Sequence, residues 1–268
     1  MESGDSRPAR FARLLPGADT LTAAEAVRSV NPPAEAHAGR PHVALNMVCT
    51  ADGRATLAGR TALIGNRADR ELFHQLRTRS DAVLVGAGTA RVEHYGRLVR
   101  DADRRALREA NGLSADPLAI IVSASLDLPL QAVPLLRDPH SSVAILTASD
   151  GEIAGAAARV HYLRASDLRA SSGTLDLAAM LGRLRTELGV RTILCEGGPR
   201  LNAALLAEGL VDELFLSMSP KLAGGPAPLT IVDGPALAEP VDMELTWLLE
   251  CDGHLFLRYA LHARGGGV

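Results

Sequence analysis

Lysine and aromatic residues are both scarce in this chain of 268 residues. Lys221 is the single lysine among 28 basic residues, so the chain has few candidates for Schiff-base catalysis. Aromatic residues make up 3% of the sequence, and the net charge is −3. So few rings offer little surface for base stacking, and a negative chain has no basic field to attract nucleic acid or anionic lipid. We therefore expect neither a nucleic-acid partner nor a membrane-bound role.

Long apolar runs and cysteine are scarce as well. No apolar stretch approaches the roughly 20 residues that a membrane-spanning helix needs. The N-terminal MESGDSRPAR lacks the apolar segment of a secretory signal. The three cysteines, Cys49, Cys195 and Cys251, lie far apart in strand-like surroundings, which is typical of buried thiols in a reducing cytoplasm. Neither they nor the histidines show the spacing of a zinc site, so we expect a cytoplasmic protein without a metal centre.

Apolar strands and amphipathic helices alternate from Arg40 onward. Near-continuous apolar segments are typical of strands in a sheet that is covered on both faces. Three such segments lie at 82–86, 118–122 and 143–147. Toward the C-terminus, segments 244–251 and 254–261 are joined by Asp252-Gly253, which is a hairpin signal. The pattern predicts a three-layer α/β fold: a mixed sheet with helices on both faces and a C-terminal antiparallel hairpin.

Residues 1–39 are rich in alanine, proline, glycine and polar residues, with one short helix indicated at 21–30. Such a composition favours an extension that packs on the surface or is partly disordered. No linker or internal repeat follows residue 40. The sequence therefore predicts an N-terminal extension (1–39) and one domain (40–264).

The segment 192–207 combines a strand, a glycine pair and the start of a helix. The strand ends at Glu196, and Gly197 and Gly198 follow it. Pro199 then stands in the first helical turn, where a missing N–H removes no hydrogen bond. Backbone without side chains at a helix N-terminus can lie directly against a phosphate group. A tight turn that needs glycine only for its backbone angles explains this segment equally well.

A second glycine motif follows another apolar strand, at Gly86, Gly88 and Thr89. It is not the dinucleotide fingerprint, which needs a third glycine, nor a Walker loop, which needs Gly-Lys-Ser/Thr. Two strand ends with paired glycines nevertheless fit a sheet whose carboxyl edge holds an extended phosphorylated ligand.

Four motifs, in this order, resemble the C-terminal reductase domain of RibD-type proteins of riboflavin biosynthesis. They are LNMVCTADGRAT (45–56), the helix that ends in Leu76-Arg77, DAVLVGAGT (81–89) and LCEGGPRLNAALLAEGLVDELFLSMSPKLAGG (194–225). The resemblance covers about residues 40–262. It implies a dihydrofolate-reductase-like fold, a homodimer, and the use of NADPH to reduce the ribosyl group of 5-amino-6-(5-phosphoribosylamino)uracil to a ribityl chain.

The resemblance also implies roles for matching positions. NADPH is expected to contact Val48, Gly86, Gly88, Thr89, Glu93, Ser123, Gly197, Gly198, Pro199, Arg200, Leu201 and Asn202. The small-molecule substrate is expected to contact Thr61, Arg77, Arg97 and Arg100. Glu196, beside the substrate or the nicotinamide, is the first candidate for a catalytic role, with the capping of a backbone amide as the alternative. Asp52 is the second candidate, although Asp-Gly is also a structural turn signal.

The run after Thr89 departs from the family pattern. Glu93-His94-Tyr95 stands where the family usually has Asp-Asp-Pro, which alters the expected recognition of the ribose phosphate. Arg97 or Arg100 can still supply the positive charge. The deaminase domain of bifunctional members has no counterpart, so a stand-alone reductase is expected. Two alternatives stay open: reduction of a pterin or dihydrofolate-like C=N bond, and a non-catalytic NADP(H)-binding paralogue.

Overall fold

The computed structural model describes residues 8–28, 30, 39–164, 175–226 and 228–262. Its strands are β1 (Arg10–Leu15), β2 (Thr20–Thr22), β3 (His42–Thr50), β4 (Ala82–Gly86), β5 (Leu118–Val122), β6 (Ser142–Thr147), β7 (Arg159–Arg164), β8 (Thr192–Cys195), β9 (Glu213–Ser219), β10 (Met243–Cys251) and β11 (His254–Leu261). Its helices are α1 (Ala23–Arg28), α2 (Arg67–Leu76), α3 (Ala87–Val92), α4 (Ala102–Ala110), α5 (Leu177–Leu188) and α6 (Pro199–Ala207), with short 3₁₀ turns at Arg77–Arg79 and Pro134–Arg137.

The strands of the described residues form one mixed sheet in the order β2-β1-β10-β11-β9-β3-β8-β4-β5-β6-β7. From β9 to β7 all neighbours are parallel. The remaining pairs, from β9 through β11, β10 and β1 to β2, are antiparallel. β10 and β11 form the hairpin that Asp252-Gly253 predicts. The carboxyl ends of the parallel strands therefore share one edge of the sheet.

Helices cover both faces of this sheet. On one face, α5 and α6 pack on alternate residues of the central strands, such as Val43, Leu45 and Leu84. On the other face, α1, α2 and α3 pack on the intervening residues, such as Ala44 and Val83. The period of two along each strand places these two sets on opposite faces. The predicted three-layer α/β fold is confirmed.

Local sequence signals account for several helix ends. Asn66 caps α2, and its side chain accepts a hydrogen bond from the Asp69 amide at 2.9 Å. Pro199 is the first residue of α6. Gly189 ends α5 in the left-handed conformation with φ 67°, and Gly209 follows α6 with φ 64°. Local residues can fix these ends because caps and stops act within a single turn.

The N-terminal part of the chain adds two strands to the sheet. β1 pairs with β10, and β2 pairs with β1. Phe11 is fully buried and packs edge-on against Phe256, with the ring centroids 5.1 Å apart. The sequence pattern indicates packing on the surface, whereas β1 is a strand of the sheet and buries Phe11. No local pattern reveals β1, because its partner β10 is remote in sequence. Residues 1–7 and 31–38 lie outside the described residues, and a domain boundary at residue 40 stays a prediction.

α3 and α4 are not indicated by the sequence pattern. Gly86, in the second glycine motif, is the N-cap of α3. Asp101 caps α4, and its side chain accepts a hydrogen bond from the Arg104 amide at 2.9 Å. α4 buries Arg108, which donates to the Ser80 carbonyl at 2.7 Å, and it shows no apolar stripe that would have revealed it. In the described part of the chain, no helix has both the length and the apolar character needed to cross a membrane.

Candidate functional site

The carboxyl ends of β3, β8 and β4 lie side by side at one edge of the sheet. The chain leaves β3 and β4 toward helices on one face, and it leaves β8 toward α6 on the other face. Such a change of face opens a crevice outside the strand ends, where ligands bind in open α/β sheets. We call this space the edge crevice. Both predicted glycine motifs lie at it.

A separate cavity of about 20 Å³ lies at the opposite end of these strands and is lined in part by His42, Thr192 and Glu213. It has room for a single water molecule. The ring nitrogens of His42 lie 3.6 Å from an Asp212 carboxylate oxygen and 3.8 Å from a Glu213 carboxylate oxygen. This cavity is too small for a nucleotide or a sugar phosphate, so the edge crevice is the candidate site.

The two glycine motifs contact each other directly. The Gly86 amide donates a hydrogen bond to the Gly197 carbonyl at 2.7 Å. A Cβ atom on Gly198 would lie 2.5 Å from the Thr89 hydroxyl oxygen, and one on Gly86 would lie 3.5 Å from the Gly198 amide nitrogen. Gly197 has φ 86°, and the Gly197–Gly198 peptide is cis. A side chain at Gly198 would therefore require the Thr89 side chain to move, and the positive φ of Gly197 disfavours a side chain there.

The N-terminus of α6 opens onto the edge crevice. The Asn202 amide donates to the Gly198 carbonyl at 3.0 Å, as in any helical turn. The amides of Arg200 and Leu201 precede the first intrahelical bonds and make no hydrogen bond to another described residue. The Arg200 side chain is 92% exposed, 3.6 Å from an Asp233 carboxylate oxygen. Free amides and the helix dipole make this end of α6 suited to an anion.

Asn202 has a structural part in the same turn. Its side chain is fully buried and donates to the Ile231 carbonyl at 2.8 Å. The side-chain amide also lies 3.0 Å from the Met47 sulfur. The backbone amides of Arg200 and Leu201 are thus available to a ligand. The Asn202 side chain instead holds the loop at Ile231 against α6.

Glu196 forms a buried ion pair with Arg77. The guanidinium donates from Nε to Oε1 and from Nη2 to Oε2, both at 2.7 Å. The side chains of Arg77 and Glu196 are 8% and 2% exposed. Tyr95 donates its hydroxyl to Oε2 at 2.6 Å. Arg77 also donates from Nη1 to the Leu98 carbonyl at 2.7 Å, so its guanidinium is held by two separate segments of the chain, at Glu196 and at Leu98.

The electrostatics of this group follow from its burial. Burial opposes the charge on Arg77, but the charge and hydrogen bonds of Glu196 outweigh that effect and raise the pKa of Arg77. Burial, followed by the negative charge of Glu196, raises the pKa of Tyr95 well above its usual value. Tyr95 is therefore a neutral donor at any physiological pH. It was absent from the expected site residues, and the only signal for it was the departure from Asp-Asp-Pro.

One side of α2 faces the edge crevice. Asp69, Phe73 and Arg77 are four residues apart, so they lie in a row on the helix and the turn that continues it. The Arg77 guanidinium lies 4.2 Å from the centre of the Phe73 ring. Burial raises the pKa of Asp69, and the Ser217 hydroxyl of β9 acts on the carboxyl group in the opposite direction. The row therefore begins with the Asp69 carboxyl group near β9 and ends with the Arg77 guanidinium at Glu196.

The sheet supplies the opposite wall. Ala44 packs toward α2, so Asn46 and Val48, two and four residues on, point to the same face. Val48 lies beside Ser217 in the β3–β9 register. Asn46 is half-buried, and its side chain makes no hydrogen bond within the described part of the chain. Asn46, Asp69 and Ser217 were not among the expected site residues, since their positions depend on which strands are neighbours.

Asp52, the second expected catalytic residue, holds two loops together. It accepts hydrogen bonds from the Thr50 hydroxyl, from the Ala223 amide and, at 2.7 Å, from the Gly224 amide. The first of these is the largest of the influences that lower its pKa to about 2. This geometry agrees with the structural turn that was the alternative reading of Asp-Gly.

The expected substrate residues fall into two groups. Thr61 is engaged with Glu93, which accepts its amide at 3.1 Å and its hydroxyl at 2.9 Å. Arg97 is engaged with Asp116 through bonds of 2.9 and 2.6 Å. Arg100 is exposed and has no ion pair within the described residues. Of the two arginines that can supply positive charge, Arg100 is the available one.

The remaining expected cofactor residue, Ser123, directly follows β5. Its amide donates to the Leu146 carbonyl at 3.0 Å, and its side chain is 4% exposed. The next residues, Ala124 and Ser125, are exposed. The Ser123 hydroxyl is therefore less accessible from solvent than the two residues that follow it.

Comparison with known families decides the relationship of this chain. The family model of the RibD C-terminal domain matches residues 41–256. The chain belongs to the RibD C-terminal domain family. Two archaeal relatives of this RibD-type chain are each named 2,5-diamino-6-ribosylamino-4(3H)-pyrimidinone 5′-phosphate reductase. The Archaeoglobus fulgidus protein is 29% identical over 206 residues, 76% of this chain and 92% of the relative. The Methanothermobacter thermautotrophicus protein is also 29% identical over 206 residues, 76% of this chain and 88% of the relative.

A solved structure has the same fold. It is a pyrimidine reductase-like protein from Corynebacterium diphtheriae, which superposes with a TM-score of 0.73 at 24% identity. The superposition covers 90% of this chain and 99% of that protein. The dihydrofolate-reductase-like fold implied by the motifs is confirmed.

The cysteines of this RibD-type domain are buried free thiols, as predicted. Burial is the main cause that raises the pKa of Cys195 to about 12 and that of Cys251 to about 11, so both are protonated at neutral pH. Among the described residues, no group of three or more His, Cys, Asp or Glu side chains is placed to hold a metal ion.

Proposed function

We propose that this chain is an NADPH-dependent reductase that acts on a phosphoribosylamino-pyrimidine of riboflavin biosynthesis. The observation that carries the proposal is the contact between two glycine motifs at the N-terminus of α6, beside a buried Arg77–Glu196 pair. The archaeal relatives are named as reductases of such a pyrimidine ribotide. In the proposed reaction, a hydride is added to C1′ of the ribosylamine in its ring-opened imine form.

The residues present fit a dinucleotide cofactor. Gly197 and Gly198 expose backbone at the start of α6, and the amides of Arg200 and Leu201 are free to donate. A pyrophosphate placed there gains hydrogen bonds and the favourable helix dipole without a side-chain clash. Gly86, Gly88 and Thr89 line the neighbouring strand end, and Val48 lies on the far side. The bound cofactor supplies the hydride, so the protein needs no nucleophile of its own.

Glu196 and Arg77 are best assigned a positioning role. Both oxygens of Glu196 already accept short charge-assisted hydrogen bonds, and the side chain is almost fully buried. A carboxylate held in this way is a strong acceptor for its protein donors and presents no free oxygen to a ligand. We propose that the pair, with Tyr95, fixes the strand end at Gly197 and leaves proton transfer to another group.

Arg100 is the group that we assign to the substrate phosphate. Arg97 is committed to Asp116 and Arg77 to Glu196, whereas the Arg100 guanidinium is exposed and lies against Gly96. A guanidinium that is not already paired can bind a phosphate through two hydrogen bonds. NADPH rather than NADH, a homodimer and a cytoplasmic location stay predictions that rest on the resemblance.

The test is NADPH oxidation with three compounds offered separately: the deaminated ribotide, the diamino ribotide and dihydrofolate. Turnover of either ribotide supports the proposal. Turnover of dihydrofolate alone would establish the pterin alternative. NADPH binding without turnover of any compound would establish the non-catalytic alternative.

The phosphate assignment has its own test with a matched control. Arg100→Ala should raise KM for the ribotide at least tenfold and leave KM for the dephosphorylated ribosylaminopyrimidine unchanged, because it removes the free cation. Arg159→Ala removes an exposed arginine at the amino end of β7 and should change neither KM. An equal effect of Arg100→Ala on both compounds would contradict a phosphate contact.

A further inference from the structure

Asp69 is a half-buried carboxyl group in the first turn of α2. It begins the row of Asp69, Phe73 and Arg77 that faces the edge crevice, roughly 12 Å along the helix axis from Arg77. Its carboxyl lies directly over the Gly65 backbone, where a Cβ atom would collide with it. The carboxyl group is therefore held between the loop before α2 and the face of the sheet.

The surroundings of Asp69 differ from those of Glu196. No arginine forms an ion pair with Asp69 in the described residues, and the Ser217 hydroxyl of β9 is the polar side chain that favours its charged form most. His254 of β11 and Arg70 of its own helix are the charged or titratable groups that act on it. Burial is the largest influence and raises the pKa of Asp69, against smaller opposing effects of Ser217, His254 and Arg70. The carboxyl thus holds a proton to a higher pH than an exposed aspartate does.

The position of Asp69 also fits a ligand on the α2 side of the sheet. Ser217 lies beside Val48, and Asn46 presents a half-buried amide without a partner among the described residues on the same face. A heterocycle bound between this face and the row on α2 would meet a planar ring at Phe73 and the carboxyl of Asp69. Glu196 is not available for such contact, because Arg77 and Tyr95 occupy its oxygens.

We propose that Asp69 is the proton donor of the reduction, an inference that rests on the proposed function. The hydride from the reduced nicotinamide forms a C–H bond at C1′ while the electrons of the C=N double bond move to nitrogen. The proton of Asp69 forms the N–H bond, so the imine becomes an amine. The nicotinamide is oxidised, and the Asp69 carboxylate regains its proton from water. Ser217 stabilises the carboxylate that this transfer leaves behind.

The experiment compares Asp69→Asn with Asp103→Asn. Asp103 is an exposed aspartate in the first turn of α4, so its replacement controls for the loss of a first-turn charge. Asp69→Asn should lower kcat by about 100-fold or more, the usual contribution of a general acid, with KM and NADPH affinity changed less than threefold. Asp103→Asn should leave kcat, KM and NADPH affinity unchanged.

The pH profile separates proton transfer from a structural effect. In the wild type, kcat/KM should fall as the pH rises through the pKa of Asp69, and this dependence should be absent in Asp69→Asn. Ser217→Ala removes the hydroxyl that favours the carboxylate, so the same limb should move to higher pH. This second variant keeps the test decisive if Asp69→Asn does not fold.

A readout without turnover completes the test. In the protein labelled at the aspartate carboxyl carbons, NMR titration should show a resonance with a raised pKa that disappears in Asp69→Asn and persists in Asp103→Asn. Suppose that the wild type reduces the ribotide. A kcat of Asp69→Asn within threefold of the wild-type value would then overturn the assignment of Asp69 alone. A pH limb that Ser217→Ala does not move would do the same. A wild type that reduces no ribotide would overturn the proposed function, and this inference with it.

Discussion

Replacing Arg77 by methionine should strongly destabilise the protein, because it leaves the buried Glu196 carboxylate without its ion-pair partner. The side chains of Arg77 and Glu196 are 8% and 2% exposed, and Arg77 supplies two of the three hydrogen bonds that the Glu196 carboxylate accepts. Its removal leaves a buried carboxylate with Tyr95 as the remaining donor. Breaking a buried ion pair at one partner typically costs about 3–5 kcal/mol. We expect the free energy of unfolding of Arg77→Met to fall by that amount.

The companion variants isolate the interaction. Glu196→Gln keeps an acceptor oxygen for Arg77 but removes the charge. Because hydrogen bonds to charged groups contribute about 1.5–3 kcal/mol, the free energy of unfolding of this variant should fall by about that amount. The double variant Arg77→Met/Glu196→Gln leaves no unpaired buried charge. Its destabilisation should therefore be smaller than the sum of the two single effects by about 2 kcal/mol or more, since groups in contact are not additive.

Urea unfolding followed by circular dichroism measures all four proteins. The pair Arg97–Asp116 is the matched control, because it has the same bidentate geometry with side chains 26% and 17% exposed. Its coupling energy should be about 0–1 kcal/mol, as for other solvent-accessible pairs. A coupling energy for Arg77 and Glu196 no larger than that of the control would refute the reasoning that burial makes this pair strong.

Two further predictions concern the cofactor site and the pH dependence of stability. Gly198→Ala places a Cβ atom 2.5 Å from the Thr89 hydroxyl and should weaken NADPH binding at least tenfold in a fluorescence titration, while Gly39→Ala, where the Cβ meets open space, should not. Equal affinities of the two variants would contradict the assigned cofactor contact. Burial, followed by the charge of Arg77, lowers the pKa of His74 from 6.5 to about 4, so the unfolded chain takes up a proton that the folded chain does not as pH falls through this range. Stability should therefore fall between pH 6.5 and about 4 in the wild type and fall less in His74→Gln, as measured by urea unfolding at several pH values; an identical decline in both would exclude His74 as its source.

Several features of the fold were predictable because their causes are local. Asn66 and the Asp69 amide complete a cap within one turn, and Gly189 stops α5 through its own left-handed conformation. The near-continuous apolar strands identify a sheet covered on both faces, whatever their order in it. α4 shows the limit of this reasoning, because it buries Arg108 and carries no apolar stripe.

The candidate site was predictable in part. The glycine motifs at Gly86 and Gly198 can be recognised from strand ends and helix starts, and the four motifs together identify the family. Neither motif alone reveals that the Gly86 amide donates to the Gly197 carbonyl. It depends on β8 lying next to β4 in the sheet.

Helix caps, strand character and family membership can be read from the amino-acid sequence, because each depends on residues close together in the chain or on motifs in a set order. The contacts of Glu196 with Arg77, 119 residues away, and with Tyr95, 101 residues away, are visible in the folded chain and not in the sequence. The same is true of Asp69 beside Ser217 and of Phe11 in the core. The physical reason is that such contacts follow from strand order, which is set by how whole faces pack and which no local pattern encodes.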